Sequence, residues 1–270
     1  MILFPPSKLN LGLQIVAKRT DGYHNLQTVF YQFPLKDVLE IVHDPSLEVG
    51  VCQFKSSGLN IPEGENLCVK AYRLLHDDFK LPGISIHLHK VIPMGAGLGG
   101  GSSDAAYTLM MVNQIFDLKI PLHQLKDYAL ALGSDCPFFL EKEPQYAEGR
   151  GELLSPVDLN LKGKFLLIIN PKIHVSTAAA FGKITPKPSV SCKWVVENEI
   201  SAWKTDLLND FELPVFDMYP ELLEIKEKLY ASGADYAAMS GSGSTMFGIF
   251  SKPTENTTWP SNYFVWQTVL

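Results

Sequence analysis

Between Pro93 and Ser103 the chain reads Pro93-Met94-Gly95-Ala96-Gly97-Leu98-Gly99-Gly100-Gly101-Ser102-Ser103, five glycines in seven positions followed by two serines. Glycine tolerates positive φ and has no Cβ, so successive backbone N–H groups can turn inward and close on an anion. An apolar-periodic segment follows, and a helix there would aim the positive end of its dipole at the same point. The chemistry this pattern suits is a phosphate cradle; a flexible linker would not sit between a strand and a patterned helix. Gly95-x-Gly97-x-x-Gly100 also satisfies the dinucleotide fingerprint in form, but that fingerprint needs a second strand ending in an acid roughly 20 residues on. The acid nearest that distance, Asp117, follows a helix instead. A P-loop fails because Gly101 stands where its lysine belongs, and no Gly-x-Ser-x-Gly esterase elbow occurs.

Other residues could do chemistry near such a cradle. Asp135 lies in Gly133-Ser134-Asp135-Cys136-Pro137, an abrupt helix exit that sets one carboxylate beside Phe138 and Phe139. Lys8 falls on the first strand. Taken alone, each is as well read as a solvated turn acid and a surface strand lysine. Tyr23 and His24 follow the turn pair Asp21-Gly22, which can present both rings: an aromatic face stacks on a base, and an imidazole bonds a base edge. Asn66 opens a helix and suits an N-cap. Ser102 and Ser103 offer hydroxyls to phosphate or to a hard cation such as Mg²⁺. Ser240-Gly241-Ser242-Gly243 joins two strands and reads either as a plain hairpin turn or as a loop that closes on a diphosphate or braces the glycine run. His87 and His89 share one strand face with no third ligand nearby, and the four cysteines form no Cys-x-x-Cys pair, so neither a metal site nor a disulfide framework is indicated.

Together these segments resemble the GHMP kinases, the family of galactokinase, homoserine kinase and mevalonate kinase. Pro93 to Ser103 is similar to its Pro-x-x-x-Gly-Leu-Gly-Ser-Ser signature. Pro6-Ser7-Lys8-Leu9-Asn10-Leu11, Arg19-Thr20-Asp21-Gly22-Tyr23-His24, Leu132 to Phe139, Gly149-Arg150-Gly151-Glu152, Leu208-Asn209-Asp210-Phe211-Glu212 and Ser240 to Gly243 agree in order. The three glycines before the paired serines resemble one branch in particular, whose acceptor is a diphosphocytidyl-bearing polyol of the non-mevalonate isoprenoid pathway. Ser134, Cys136 and Ser242 depart from the usual Ala, Val and Thr, all small side chains, and Phe181 to Trp203 does not align. The resemblance implies that Asp135 is the catalytic base and that Lys8 supports the same carboxylate and the γ-phosphate. It assigns ATP to Asn66 and to Pro93 through Ser103, and the acceptor to Asn10, Tyr23, His24, Phe181, Gly241 and Ser242, with the cytosine held by Tyr23 and His24.

The elements that must position these residues can be read from period and punctuation. A helix is expected from Asn66 to about Phe79 with Leu67, Ala71, Leu74 and Leu75 on one stripe, and a strand from Ile84 ending at Pro93. Helices follow over Ala105 to Phe116 and Leu122 to Leu132, then a loop-like stretch from Leu154 to Lys164 and a strand from Phe165 to Asn170. Further readings are strands over Val38 to Val42 and Leu47 to Val51, a helix through Leu222, Ile225 and Leu229, and a strand, glycine loop and strand over Tyr236 to Phe250. Strands and helices without strict alternation argue for α+β, with a domain boundary near residue 156. The resemblance implies a first domain like the second domain of ribosomal protein S5 and a ferredoxin-like second domain.

Composition sets the remaining bounds. At 270 residues, 46% hydrophobic and 19% charged, the chain can bury a substantial core. A net charge of −6 provides no basic field for a nucleic-acid backbone, and no apolar run approaches the ~18 residues that span a bilayer. A cytoplasmic monomer or weak homodimer acting on a small molecule, with no nucleic-acid or membrane partner, is expected. A nucleotide sensor without turnover is the competing class, and a nicotinamide oxidoreductase a distant third.

Overall fold

The computed structural model describes residues 1–61, 64, 66–186, 190–254 and 258–270. In chain order the elements are β1 (Ile2–Leu3), β2 (Pro6–Lys18), β3 (His24–Lys36), β4 (Val38–His43), β5 (Cys52–Gly58), α1 (Leu67–Phe79), β6 (Ile84–Lys90), α2 (Gly100–Ile115) and α3 (Leu122–Leu132). A 3-10 helix over Cys136–Leu140 leads to β7 (Gln145–Glu148), β8 (Leu153–Pro156), β9 (Phe165–Asn170) and the short helices α4 (Thr177–Phe181), α5 (Cys192–Val196) and α6 (Ile200–Asp206). Then come α7 (Glu212–Met218), α8 (Pro220–Ala231), β10 (Tyr236–Met239), β11 (Met246–Phe250) and β12 (Phe264–Val269). Two compact units arise, each from separate segments. The first takes Met1–Ser7, Leu35–Met94 and Gly99–Lys142; the second takes Lys8–Pro34, Gly95–Leu98 and Glu143–Leu270.

In the first unit a sheet of order β1-β4-β6-β5 is antiparallel except for β5 and β6, which are parallel and joined through α1 as their crossover. Ile84, Ile86 and Leu88 of β6 are buried while His87 and His89 face out, each with a ring nitrogen 3.0 Å from Ser57 Oγ. Asn66 caps α1, its Oδ1 accepting the Cys68 N–H at 2.8 Å, and Lys80 ends the helix in the left-handed region at φ 51°. The stripe that α1 buries is Cys68, Ala71, Tyr72 and Leu75, rotated from the expected one so that Tyr72 goes inward in place of Leu74. Its hydroxyl donates to the Pro82 carbonyl at 2.7 Å, which lets a large polar-tipped ring be buried. Helix α2 starts at Gly100, five residues before the expected Ala105, because its first turn is built from the glycines and serines themselves. Leu47 to Val51 is a pair of turns and not a strand: Asp44 Oδ1 accepts the Ser46 N–H at 3.0 Å, and Gly50 has φ +83°.

In the second unit one sheet runs β2-β3-β7-β8 and another, antiparallel throughout, β10-β11-β9-β12. The loop expected from Leu154 begins with the strand β8, which pairs antiparallel with β7 around Gly149 and Gly151, both at positive φ. Helix α8 turns Leu222, Ile225 and Leu229 into a core shared with Leu167, Ile169, Ala237, Met239, Met246 and Phe250. The strand, glycine loop and strand over Tyr236 to Phe250 form as expected, with Met239 opposite Met246.

Candidate active site

In the first unit Gly99 caps α2 from the left-handed region at φ +70°, with no side-chain cap and no acid in the first turn. The first intrahelical bond is Ser103 N–H to the Gly99 carbonyl at 2.9 Å, so the N–H groups of Gly100, Gly101 and Ser102 precede it and are aimed out of the helix end. Gly101 is helical, and a Cβ there would meet only Leu67 Cδ1 at 3.8 Å, so the fold itself does not require glycine at this position. The 3-10 helix that follows Asp135 packs on α2 and α3. Burial pushes the Cys136 thiol up to about 12, against a hydrogen bond from Ser102. Half-buried Asp135 immediately precedes that 3-10 helix, whose packing on α2 holds it on the α2 side of the unit. Beneath that turn lies an ion triad: Lys90 Nζ is 2.5 Å from Asp37 Oδ2 and 2.6 Å from Asp104 Oδ2, all three buried. Burial lifts the Asp104 carboxyl to about 7, the charge on Asp37 adding to the effect and Lys90 opposing it. For Lys90, burial acts to lower the ammonium's value but the two carboxylates outweigh it and hold it raised.

In the second unit Lys8 is buried, its ammonium donating to Asn10 Oδ1 and lying 5.1 Å from the centre of the Phe30 ring. Asn10 in turn donates from Nδ2 to Thr28 Oγ1 at 3.0 Å, and Thr28 donates to the Gly12 carbonyl at 2.5 Å. The Lys8 N–H bonds the Leu98 carbonyl at 2.9 Å, joining β2 to the first half of the glycine run. Ser240 Oγ accepts the Asn10 N–H at 3.3 Å and donates to the Gly97 carbonyl at 2.8 Å, so the Ser240 loop braces the glycine run. A Cβ on Gly97, where φ is +77°, would lie 2.0 Å from the Ser240 carbonyl oxygen. Here the close approach of two backbones explains the glycine. A Cβ on Gly241 would lie 3.2 Å from Gly97 Cα and 3.5 Å from Asn10 Oδ1, and Ser242 Oγ is 2.9 Å from Thr177 Oγ1 on α4.

The turn at Asp21-Gly22 forms as expected, with the Tyr23 N–H on Asp21 Oδ1 at 3.1 Å and Gly22 at φ +86°. Tyr23 is 58% exposed and its ring sits 5.1 Å from the Arg150 guanidinium, whereas His24 stacks on Phe181 at 4.9 Å and 16°. Phe181 is fixed in turn by the edge of Phe211 at 4.7 Å. Sequence reasoning gave no role to Asn209, which is buried and donates from Nδ2 to the carbonyls of Met239 and Gly241, both at 2.8 Å. Its neighbours do parallel work: Asp210 Oδ2 accepts the Ile15 N–H at 2.8 Å, and Glu212 Oε1 the Met239 N–H at 2.8 Å. A single polar run, Asn209-Asp210-x-Glu212, between apolar residues was the signal available.

The family described as GHMP kinases N terminal domain matches residues 66–142, and that described as GHMP kinases C terminal matches residues 196–257. A Bacteroides fragilis protein named 4-diphosphocytidyl-2-C-methyl-D-erythritol kinase is 51% identical over 264 residues, 96% of this chain and 94% of its own length. One of the same name from Cytophaga hutchinsonii is 47% identical over 94% of each chain. Among solved structures, a 4-(cytidine 5'-diphospho)-2C-methyl-D-erythritol kinase superposes with TM-score 0.79 at 34% identity, covering 92% of this chain and 90% of that one. Mevalonate kinase of Methanococcus jannaschii, at 16% identity and TM-score 0.69 over 93% and 90%, shares the fold.

Proposed function

The chain belongs to the 4-diphosphocytidyl-2-C-methyl-D-erythritol kinase family of the GHMP kinases, and from that premise we propose that it transfers the γ-phosphoryl group of ATP to a hydroxyl of 4-diphosphocytidyl-2-C-methyl-D-erythritol, giving the 2-phosphate. The observation that carries the reading is Gly101. A glycine in a helix costs about 1 kcal/mol relative to alanine, and a Cβ there would meet nothing nearer than Leu67 Cδ1 at 3.8 Å, so packing does not explain the glycine, whereas the close approach of a phosphate to the first-turn N–H groups of α2 does. In this reading Asp135 accepts the proton of the attacking hydroxyl, and the Lys8 ammonium offsets the negative charge that develops on the transferring group. Asn10 orients Lys8. The segment Pro93 to Ser103 and Asn66 hold the nucleotide, while Tyr23, His24, Phe181, Gly241 and Ser242 hold the diphosphocytidyl acceptor. A division of the family's two halves near residue 156 belongs to the same proposal; the compact units themselves are built from interleaved segments, with 143–270 within one of them.

Magnesium fits the residues at hand. Among the described residues no group of three or more His, Cys, Asp or Glu could cage a metal. The half-buried Ser102 and the buried Ser103, whose Oγ lacks a hydrogen-bond partner, supply hydroxyl oxygens of the kind a hard cation takes alongside nucleotide phosphates. Bound there, the ion would add positive charge against the phosphoryl oxygens. A soluble small-molecule enzyme of the cytoplasm, active as a monomer or weak homodimer, completes the proposal. The test is ADP release from ATP and Mg²⁺ with the diphosphocytidyl acceptor, set against galactose, homoserine and mevalonate. Turnover with the first alone is expected; ATP binding without ADP release on any acceptor would favour the sensor reading.

A further inference from the structure

The glycine run is anchored by a group that the reaction itself does not use. Lys90 closes β6 at the entry of the run, Asp104 lies in α2 at its exit, and Lys90 Nζ joins them at 2.6 Å across fourteen residues. Asp37 fixes the entry a second time: its Oδ1 accepts the N–H groups of Val91 at 2.6 Å and Ile92 at 2.9 Å, and its Oδ2 meets the same ammonium at 2.5 Å. The ammonium also lies against the helix start, close enough that a Cβ on Gly100 would come within 2.9 Å of Nζ and have no room there. One cation and two carboxylates, each no more than 3% exposed, are expensive to bury, and apolar residues of similar volume would hold a core at least as well. An arrangement of this kind is better explained by the geometry it imposes. We propose that Lys90, held between Asp37 and Asp104, is a positioning residue that staples the entry of the glycine run to its exit and thereby sets the spacing of the N–H groups of Gly100, Gly101 and Ser102 for the nucleotide.

This rests on the reading that the run holds ATP. The staple acts on nucleotide affinity and not on proton transfer, which separates it from a general stabilising role. Asp104→Ala opens the exit while leaving Lys90 and Asp37 as a neutral pair, and Asp104→Asn restores an acceptor for the ammonium. By calorimetry, Asp104→Ala is expected to raise the Kd for ATP by roughly tenfold or more, with kcat at saturating ATP within about threefold and the acceptor KM unchanged, and Asp104→Asn to recover most of the affinity. A folded Asp104→Ala that binds ATP within about twofold of the unmodified protein, or that loses kcat at unchanged Kd, would overturn the staple alone. So would Asp104→Asn behaving no better than the alanine. Should Asp104→Ala fail to melt cooperatively, Lys90→Met combined with Asp37→Asn is judged by the same criteria. Failure of both to fold makes the triad a stability element and also overturns the proposal. Absence of ATP binding by the unmodified protein would instead remove the proposed function together with the staple.

Discussion

A carboxylate that takes a proton from an alcohol can be replaced by its amide with little change of shape, so Asp135→Asn tests the base proposed at Asp135. We expect kcat to fall ~10²-fold or more with the Kd for the acceptor nearly kept. Lys8→Met should also lower turnover, and the double variant should lose less than the product of the two factors if both act on one step. Near-normal kcat in Asp135→Asn, measured by ADP release, would remove it from the base's role. Neither residue was legible by itself: a lone aspartate after Gly133 and a lone lysine on a strand have nothing local to mark them, and it took the ordered set of motifs to point to them. Burial was equally invisible, yet it decides what Asp104 does. Because its carboxyl is lifted from the ordinary aspartate range to about 7 by burial, with Asp37, Lys90 and Cys68 as its charged or titratable neighbours, the folded state holds that proton to higher pH than the unfolded chain. Its contribution to stability is therefore full below the ordinary range and declines as pH rises toward 7. In urea unfolding, the gap between Asp104→Asn and the unmodified protein should move in favour of the variant from pH 4.5 to pH 7.5. A gap independent of pH would contradict that ionisation.

At the scale of elements, two glycines of one run serve different ends, and substitution separates them. Gly97→Ala puts a Cβ 2.0 Å from the Ser240 carbonyl oxygen in a left-handed conformation. It should lower the melting temperature and activity together, with strain of about 1–3 kcal/mol from the backbone alone. Gly101→Ala puts a Cβ in ordinary contact with Leu67 Cδ1 at 3.8 Å within a helix and should stabilise by up to ~1 kcal/mol while weakening ATP binding. Calorimetry and thermal melts on the same two samples decide it: equal loss of stability in both would mean that Gly101 is structural after all. Helix α3 could be read to the residue because Pro121 and Gly133 punctuate it and its apolar positions repeat. Helix α2 could not, since glycine has low helix propensity and only the left-handed entry at Gly99 shows that the run already belongs to the helix. The hairpin of β7 and β8 stayed hidden because four-residue strands carry too little alternation to stand out from a loop. Helices α4 to α6 have five to seven residues each, shorter than the period needs to declare itself.

Over the whole molecule the charge of −6 and a polyanionic pair of ligands require that anion binding be local, made of backbone amides and a few lysines and not of a general field. Among the described residues no helix is long and apolar enough to cross a membrane. The α+β class was legible because strands and helices do not alternate strictly, and the family was legible because its motifs run from Pro6 to Gly243 in order. What distinguishes this branch from its relatives is the base on the acceptor, and the two residues proposed to hold it sit in different surroundings. His24 is stacked on Phe181, which sets its ring plane, while Tyr23 presents an exposed face backed by Arg150. A fixed imidazole suits edge recognition, which depends on direction; an exposed phenol suits stacking, which tolerates any base. His24→Ala should therefore erode the preference for the cytidine acceptor over its uridine analogue, because a polar base edge loses its partner. Tyr23→Ala should weaken both analogues alike, by about 1–3 kcal/mol. Phe181→Ala, which frees the His24 ring, should resemble His24→Ala in direction and be smaller in size. The measurement is kcat/KM for both analogues with all three variants. If His24→Ala lowers the two equally and keeps the cytidine preference, the base edge is read by another group, and Thr177 of α4 and Ser242, whose hydroxyls meet at 2.9 Å, are the next to be substituted.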